Sequence, residues 1–83
     1  MIVAVCDDLQ ADRDVLVSYC KRYKDEYKMP MDILQFANAG ELLQSQQARA
    51  SDLIFLDIYM GDLNGMDTAR KLRDLGVKRL LYF

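Results

Sequence analysis

The 83-residue sequence contains no histidine, two cysteines, one proline and four glycines. Without histidine, and with Cys6 and Cys20 far apart, the nitrogen and sulfur ligands of a zinc site are missing. Each cysteine is expected to be a small buried hydrophobe, Cys6 in a strand and Cys20 on a helix. No apolar run approaches the roughly 18 residues that cross a bilayer, and no basic segment precedes the first apolar run. Neither an anchor nor a signal peptide is therefore expected, and the expected location is the cytoplasm. Eleven basic residues against thirteen acidic ones give a net charge of −2. The basic residues are scattered, so no stripe suited to direct nucleic-acid contact forms. The first loop, poor in glycine, argues against a further class. A flavin- or nucleotide-binding α/β module presents backbone amides to phosphate from a first loop rich in Gly, Ser or Thr, and here that loop begins Asp7-Asp8.

What is present is the composition of one ordinary globular domain, 52% apolar and 29% charged, with a modest core. Ile2 to Cys6 is a β-branched apolar run suited to an internal parallel strand. From Ala11 to about Tyr27, Leu16, Tyr19, Cys20, Tyr23 and Tyr27 recur at helical spacing, which predicts an amphipathic helix with a tyrosine stripe turned to the core. Met29-Pro30 is expected to break it, because proline lacks the amide proton and disfavours helical geometry at the preceding residue. A strand over 32–37 follows, with polar interruptions at Asp32 and Gln35 that suit an edge. Asn38 and Glu41 have the spacing of a capping box, opening a helix to about Ala48 that buries Leu42 and Leu43. Leu53-Ile54-Phe55-Leu56 reads as a strand buried on both faces. Met66, Ala69, Leu72 and Leu75 predict a helix over 65–75 with one inward face, ended by Gly76 in the left-handed conformation. Leu80 to Phe83 reads as a fourth strand.

Strict alternation of strands and helices with short connections calls for a doubly wound parallel sheet with right-handed crossovers. With strand order 2-1-3-4, ligands collect beyond the carboxyl ends of the first and third strands, where the order reverses. Asp7 and Asp8 end the first strand and Asp57 ends the third. Any one of these taken alone fits a solvated loop residue or a helix cap, and Asp7 or Asp8 could simply favour the positive end of the next helix. Two acidic clusters converging at one edge are not needed by a purely structural account. Crowded carboxylates repel, which raises a pKa unless a cation compensates. An all-oxygen donor set suits the hard, octahedral Mg2+, and a carboxylate beside such an ion can attack phosphorus.

The runs Val3-Ala4-Val5-Cys6-Asp7-Asp8, Leu53-Ile54-Phe55-Leu56-Asp57-Ile58-Tyr59-Met60 and Asn64-Gly65-Met66 resemble the receiver domain of bacterial two-component response regulators. The resemblance implies a flavodoxin-like fold and a phosphoryl group accepted on Asp57 from the histidine of a sensor kinase. It also implies Mg2+ held directly by Asp8, Asp57 and the Tyr59 backbone carbonyl, with Asp7 acting largely through water. Receivers usually carry proline where this chain has Gly61, after Met60, and Gly65 lets the chain enter the next helix close to the site. The Cys6-Asp7-Asp8 start and the Met60-Gly61-Asp62 turn resemble receivers attached to LytTR-type DNA-binding domains, which implies a transcriptional output outside these residues.

Against that pattern, residues 1–83 read as a partial receiver, with the fifth strand missing. The Ser or Thr after the fourth strand and the Lys after the fifth, which contact the phosphoryl group, fall beyond Phe83. Lys78 and Arg79 sit at the wrong end of the sheet to replace them, so phosphoryl transfer is expected to be slow. An exposed fourth strand is expected to promote self-association. Two alternatives stand beside this one. A phosphatase with an aspartyl nucleophile usually carries that residue after its first strand; a truncated or degenerate receiver would act only as a protein-interaction or dimerisation module.

Overall fold

The computed structural model describes residues 1–57, 65–77 and 79–82. Its elements run β1 (Ile2–Cys6), α1 (Gln10–Glu26), β2 (Asp32–Phe36), α2 (Ala39–Gln44), α3 (Gln46–Arg49), β3 (Leu53–Leu56), α4 (Gly65–Asp74) and β4 (Leu80–Tyr82). All three strand pairings are parallel and the order is β2-β1-β3-β4. The expected flavodoxin-like sheet is therefore present, with β2 at an edge as its polar positions require. Of the expected fourth strand, Phe83 lies outside the described residues.

Alternation along the strands sends side chains to two faces. Ala4, Cys6, Ile54 and Leu56 pack with Leu42 of α2, Ala48 of α3, and Ala69 and Leu72 of α4 in one buried cluster. Val3 belongs to a second cluster with Cys20 of α1 and Met31, against which Ile33, Leu53 and Phe55 are packed. Helices thus cover both faces. Full burial of each large side chain here, such as Leu42 or Ile54, contributes about 1.5–3 kcal/mol.

The structure departs from the sequence expectations at several points. The tyrosine stripe of α1 is not core: Tyr19, Tyr23 and Tyr27 are exposed, and Val17 and Cys20 are the buried residues of that helix. The phenol needs a polar partner, which water supplies at the rim, and Tyr23 packs its ring on Tyr27 with centroids 4.5 Å apart. The helix stops before Met29-Pro30. Lys28 takes a left-handed φ of 49° and the Met29 amide donates to the Lys24 carbonyl at 3.0 Å, closing the helix by a Schellman-type bond.

The expected single helix to Ala48 is two. Ser45 is extended, with φ −83° and ψ 117°, and its hydroxyl accepts from the Ala48 amide at 3.1 Å, so it ends α2 and caps α3. The capping box is half formed. Asn38 Oδ1 accepts from the Glu41 amide at 2.8 Å, while Glu41 reaches the Ala37 amide, at 3.4 Å, rather than that of Asn38. In α4 the inward face is Thr68, Ala69 and Leu72, whereas Met66 and Leu75 are exposed. Gly76, at φ 95°, ends the helix as expected.

Candidate functional site

The β1–β3 ladder runs from Val3 opposite Leu53 to Cys6 opposite Leu56. Asp7 and Asp57 are the next residue on each strand. The ladder carries one bond further, from the Asp57 amide to the Cys6 carbonyl at 3.1 Å, while the Asp7 amide donates to the Phe36 carbonyl of β2 at 3.1 Å. Both carboxylates thereby leave the sheet at one edge. Asp7, Asp8 and Asp57 each bring a carboxylate oxygen within 4.8 Å of the others.

The three differ in environment. Asp7 is 1% exposed, Asp57 is half-buried and Asp8 is exposed. Asp7 Oδ1 accepts from the Leu9 amide at 3.0 Å, whereas Oδ2 is buried without a hydrogen-bond partner among the described residues. Burial pushes the Asp7 carboxyl above the usual range, the Leu9 amide opposes this, and the charge of Asp57 adds to it. Cys6, buried beneath them, has its thiol pushed up to about 12 by burial and by the charges of Asp7, Asp57 and Glu41. At neutral pH that thiol is protonated and a poor nucleophile.

An orphaned, buried carboxylate oxygen facing two further carboxylates is a costly arrangement unless a cation is bound there. Donors that are all oxygen, part buried and part open to water, fit a partly hydrated Mg2+.

The structure brings together Asp7, Asp8 and Asp57 as the sequence predicts, and Gly65 opens α4. The expectations for Tyr59, Met60 and Gly61 lie outside the described residues. Arg79 precedes β4, its carbonyl accepting from the Ile54 amide at 3.0 Å, and so stands at the end of the sheet away from Asp57. One residue beside the site escaped the sequence reading. Arg13 Nη1 donates to the Asp7 carbonyl at 2.7 Å, a contact with a main-chain acceptor that no sequence pattern signals.

Sensory transduction protein LytT of Bacillus subtilis (strain 168) is 32% identical over 73 residues, which cover 88% of this chain and 29% of LytT. The structure of an aspartate-to-alanine mutant of the MaeR response regulator bound to sulfate superposes with a TM-score of 0.63 at 19% identity. It covers 99% of this chain and 63% of that one, a likeness of fold. The chain thus spans less than a third of LytT and under two thirds of the MaeR chain. The response regulator receiver domain family matches residues 3–81. Its members are regulatory domains of two-component systems that take a phosphoryl group, bind Mg2+ at an acidic pocket and have histidine kinases as partners. With all but the first two and last two residues matched, this chain belongs to the response regulator receiver domain family.

Proposed function

We propose that Asp57 is the phosphoacceptor of this receiver, and that Asp7, Asp8 and Asp57, with the Tyr59 carbonyl, hold Mg2+. The observation that carries this reading is the approach of three carboxylates within 4.8 Å at the ends of β1 and β3, one of them with a buried, unpartnered oxygen. The bound ion would neutralise phosphoryl oxygens as charge moves in the transition state. Asp57 supplies the nucleophile. Its carboxylate oxygen forms a bond to phosphorus as the bond from phosphorus to the donor imidazole nitrogen breaks, and the imidazole leaves with that electron pair. Asp57 suits this role because the ladder bond fixes its backbone and the residue is half-buried rather than enclosed like Asp7. Asp7, fixed and buried, contributes charge rather than nucleophilicity.

In this reading the domain is regulatory, and any catalysis is confined to its own phosphorylation and dephosphorylation. The domain acts in the cytoplasm, where a sensor histidine kinase supplies the phosphoryl group and a transcriptional output outside residues 1–83 receives the signal. No described helix is long and apolar enough to cross a membrane, which is compatible with that location. Residues 1–83 are in this reading a partial receiver, from β1 to β4. Among the described residues β4 has one strand neighbour, β3, so the 83-residue polypeptide is expected to self-associate along the other edge.

Magnesium titration tests the proposal. Binding that disappears in Asp57→Ala and Asp8→Ala supports it, and binding that survives both contradicts it. A protein that binds no Mg2+ would favour the interaction-module reading.

A further inference from the structure

The junction between β1 and α1 lacks an ordinary cap. Leu9 occupies the N-cap position of α1 and offers no side-chain acceptor. The turn is closed instead through Asp7, which is held at three points. Its amide donates to the Phe36 carbonyl at 3.1 Å, its Oδ1 accepts from the Leu9 amide at 3.0 Å, and its carbonyl accepts from Arg13 Nη1 at 2.7 Å. The third bond fixes the plane of the Asp7–Asp8 peptide, and with it the direction in which Asp8 leaves β1. Arg13 can hold that plane firmly because its own backbone is anchored in the first turn of α1, with its amide on the Leu9 carbonyl at 3.0 Å.

We propose that Arg13 is a positioning residue of the acidic site, which orients the Asp7–Asp8 peptide so that both carboxylates meet Asp57 in a geometry fit for a divalent cation. The proposal rests on the reading of the site as a magnesium centre. Its sign separates it from a simple charge effect. A guanidinium beside a cation site repels the cation, so if Arg13 acted only through charge, removing it would tighten Mg2+ binding. If it acts by holding the peptide, removing it loosens binding despite the lost repulsion. A charge-assisted hydrogen bond is strong enough for the second effect to win.

The test is the affinity for Mg2+ of the whole 83-residue chain, by calorimetric titration at fixed ionic strength, in wild type, Arg13→Met, Arg13→Lys and Asp57→Ala. Arg13→Met is expected to weaken binding by roughly tenfold. Arg13→Lys, which can still donate to the carbonyl, is expected to recover most of the loss. In the metal-free protein, amide exchange at Leu9 is expected to quicken in Arg13→Met and to remain near wild type in Arg13→Lys. Equal or tighter Mg2+ binding by Arg13→Met overturns the proposal while leaving the magnesium centre standing. Wild-type protein that binds no Mg2+, or binding that survives Asp57→Ala, overturns the underlying reading and the proposal with it. If Arg13→Met does not fold, Arg13→Gln, whose side chain is too short to reach the Asp7 carbonyl, takes its place: weakened Mg2+ binding with quickened Leu9 exchange supports positioning, and equal or tighter binding overturns it.

Discussion

The Asp57 amide donates to the Cys6 carbonyl at 3.1 Å, one bond beyond the last residue pair of the β1–β3 ladder. Parallel register therefore carries Asp57 to the side of Asp7. A slip of one residue would turn every side chain of β3 to the opposite face, burying Asp57 or removing it from the cluster. The packing of β3 and the composition of the site are thus one constraint.

Folding stability of the metal-free protein depends on pH through Asp7. Its carboxyl is raised in the folded state, chiefly by burial, above the ordinary value of 3.8. Between the two values the native protein binds more protons than the unfolded chain, so stability falls as pH rises through that window. Below 3.8 the penalty is absent, and above the raised pKa it is complete. Urea unfolding across this range should give a steeper loss with rising pH for wild type than for Asp7→Asn, and Mg2+ should abolish the difference near neutrality. Identical pH slopes for the two proteins would contradict the assignment.

Leu42 anchors α2 on the face of the sheet that carries Ile54 and Leu56, and it is fully buried. Leu42→Ala removes its transfer energy and leaves a cavity, so a loss of about 2–5 kcal/mol is expected in chemical denaturation. A domain this small has little stability in reserve. A change below about 1 kcal/mol would mean that α2 is not part of the cooperative core.

Lys28 ends α1 at a left-handed φ of 49°, a conformation that costs a side-chain-bearing residue roughly 1 kcal/mol relative to glycine. Lys28→Gly is therefore expected to raise the unfolding midpoint, provided the Met29 to Lys24 bond is kept. A lowered midpoint would show that the lysine side chain contributes more than the strain costs.

The sheet was legible because its signals are local and strong. Four short apolar runs separated by helical patterns permit few topologies, and acidic residues directly after two of those runs locate the site. What was missed depends on tertiary geometry. Helical spacing places Tyr19, Tyr23 and Tyr27 on a common face but does not say whether that face or the one through Val17 and Cys20 meets the sheet. The same ambiguity put Met66 and Leu75 inside, where Thr68 is found. Ser45 breaks a helix that propensity alone would continue, because its hydroxyl caps a second one. Arg13 escaped notice because its partner is a backbone carbonyl, and main-chain acceptors leave no mark in a sequence.

The central claim, that Asp57 is the acceptor and depends on the acidic cluster, is tested most directly by treating the protein with a small phosphodonor and weighing it intact. One added phosphoryl group, present with Mg2+, absent with a chelator and absent in Asp57→Asn, is the predicted result. Labelling that persists in Asp57→Asn, or that is indifferent to Mg2+, would contradict it.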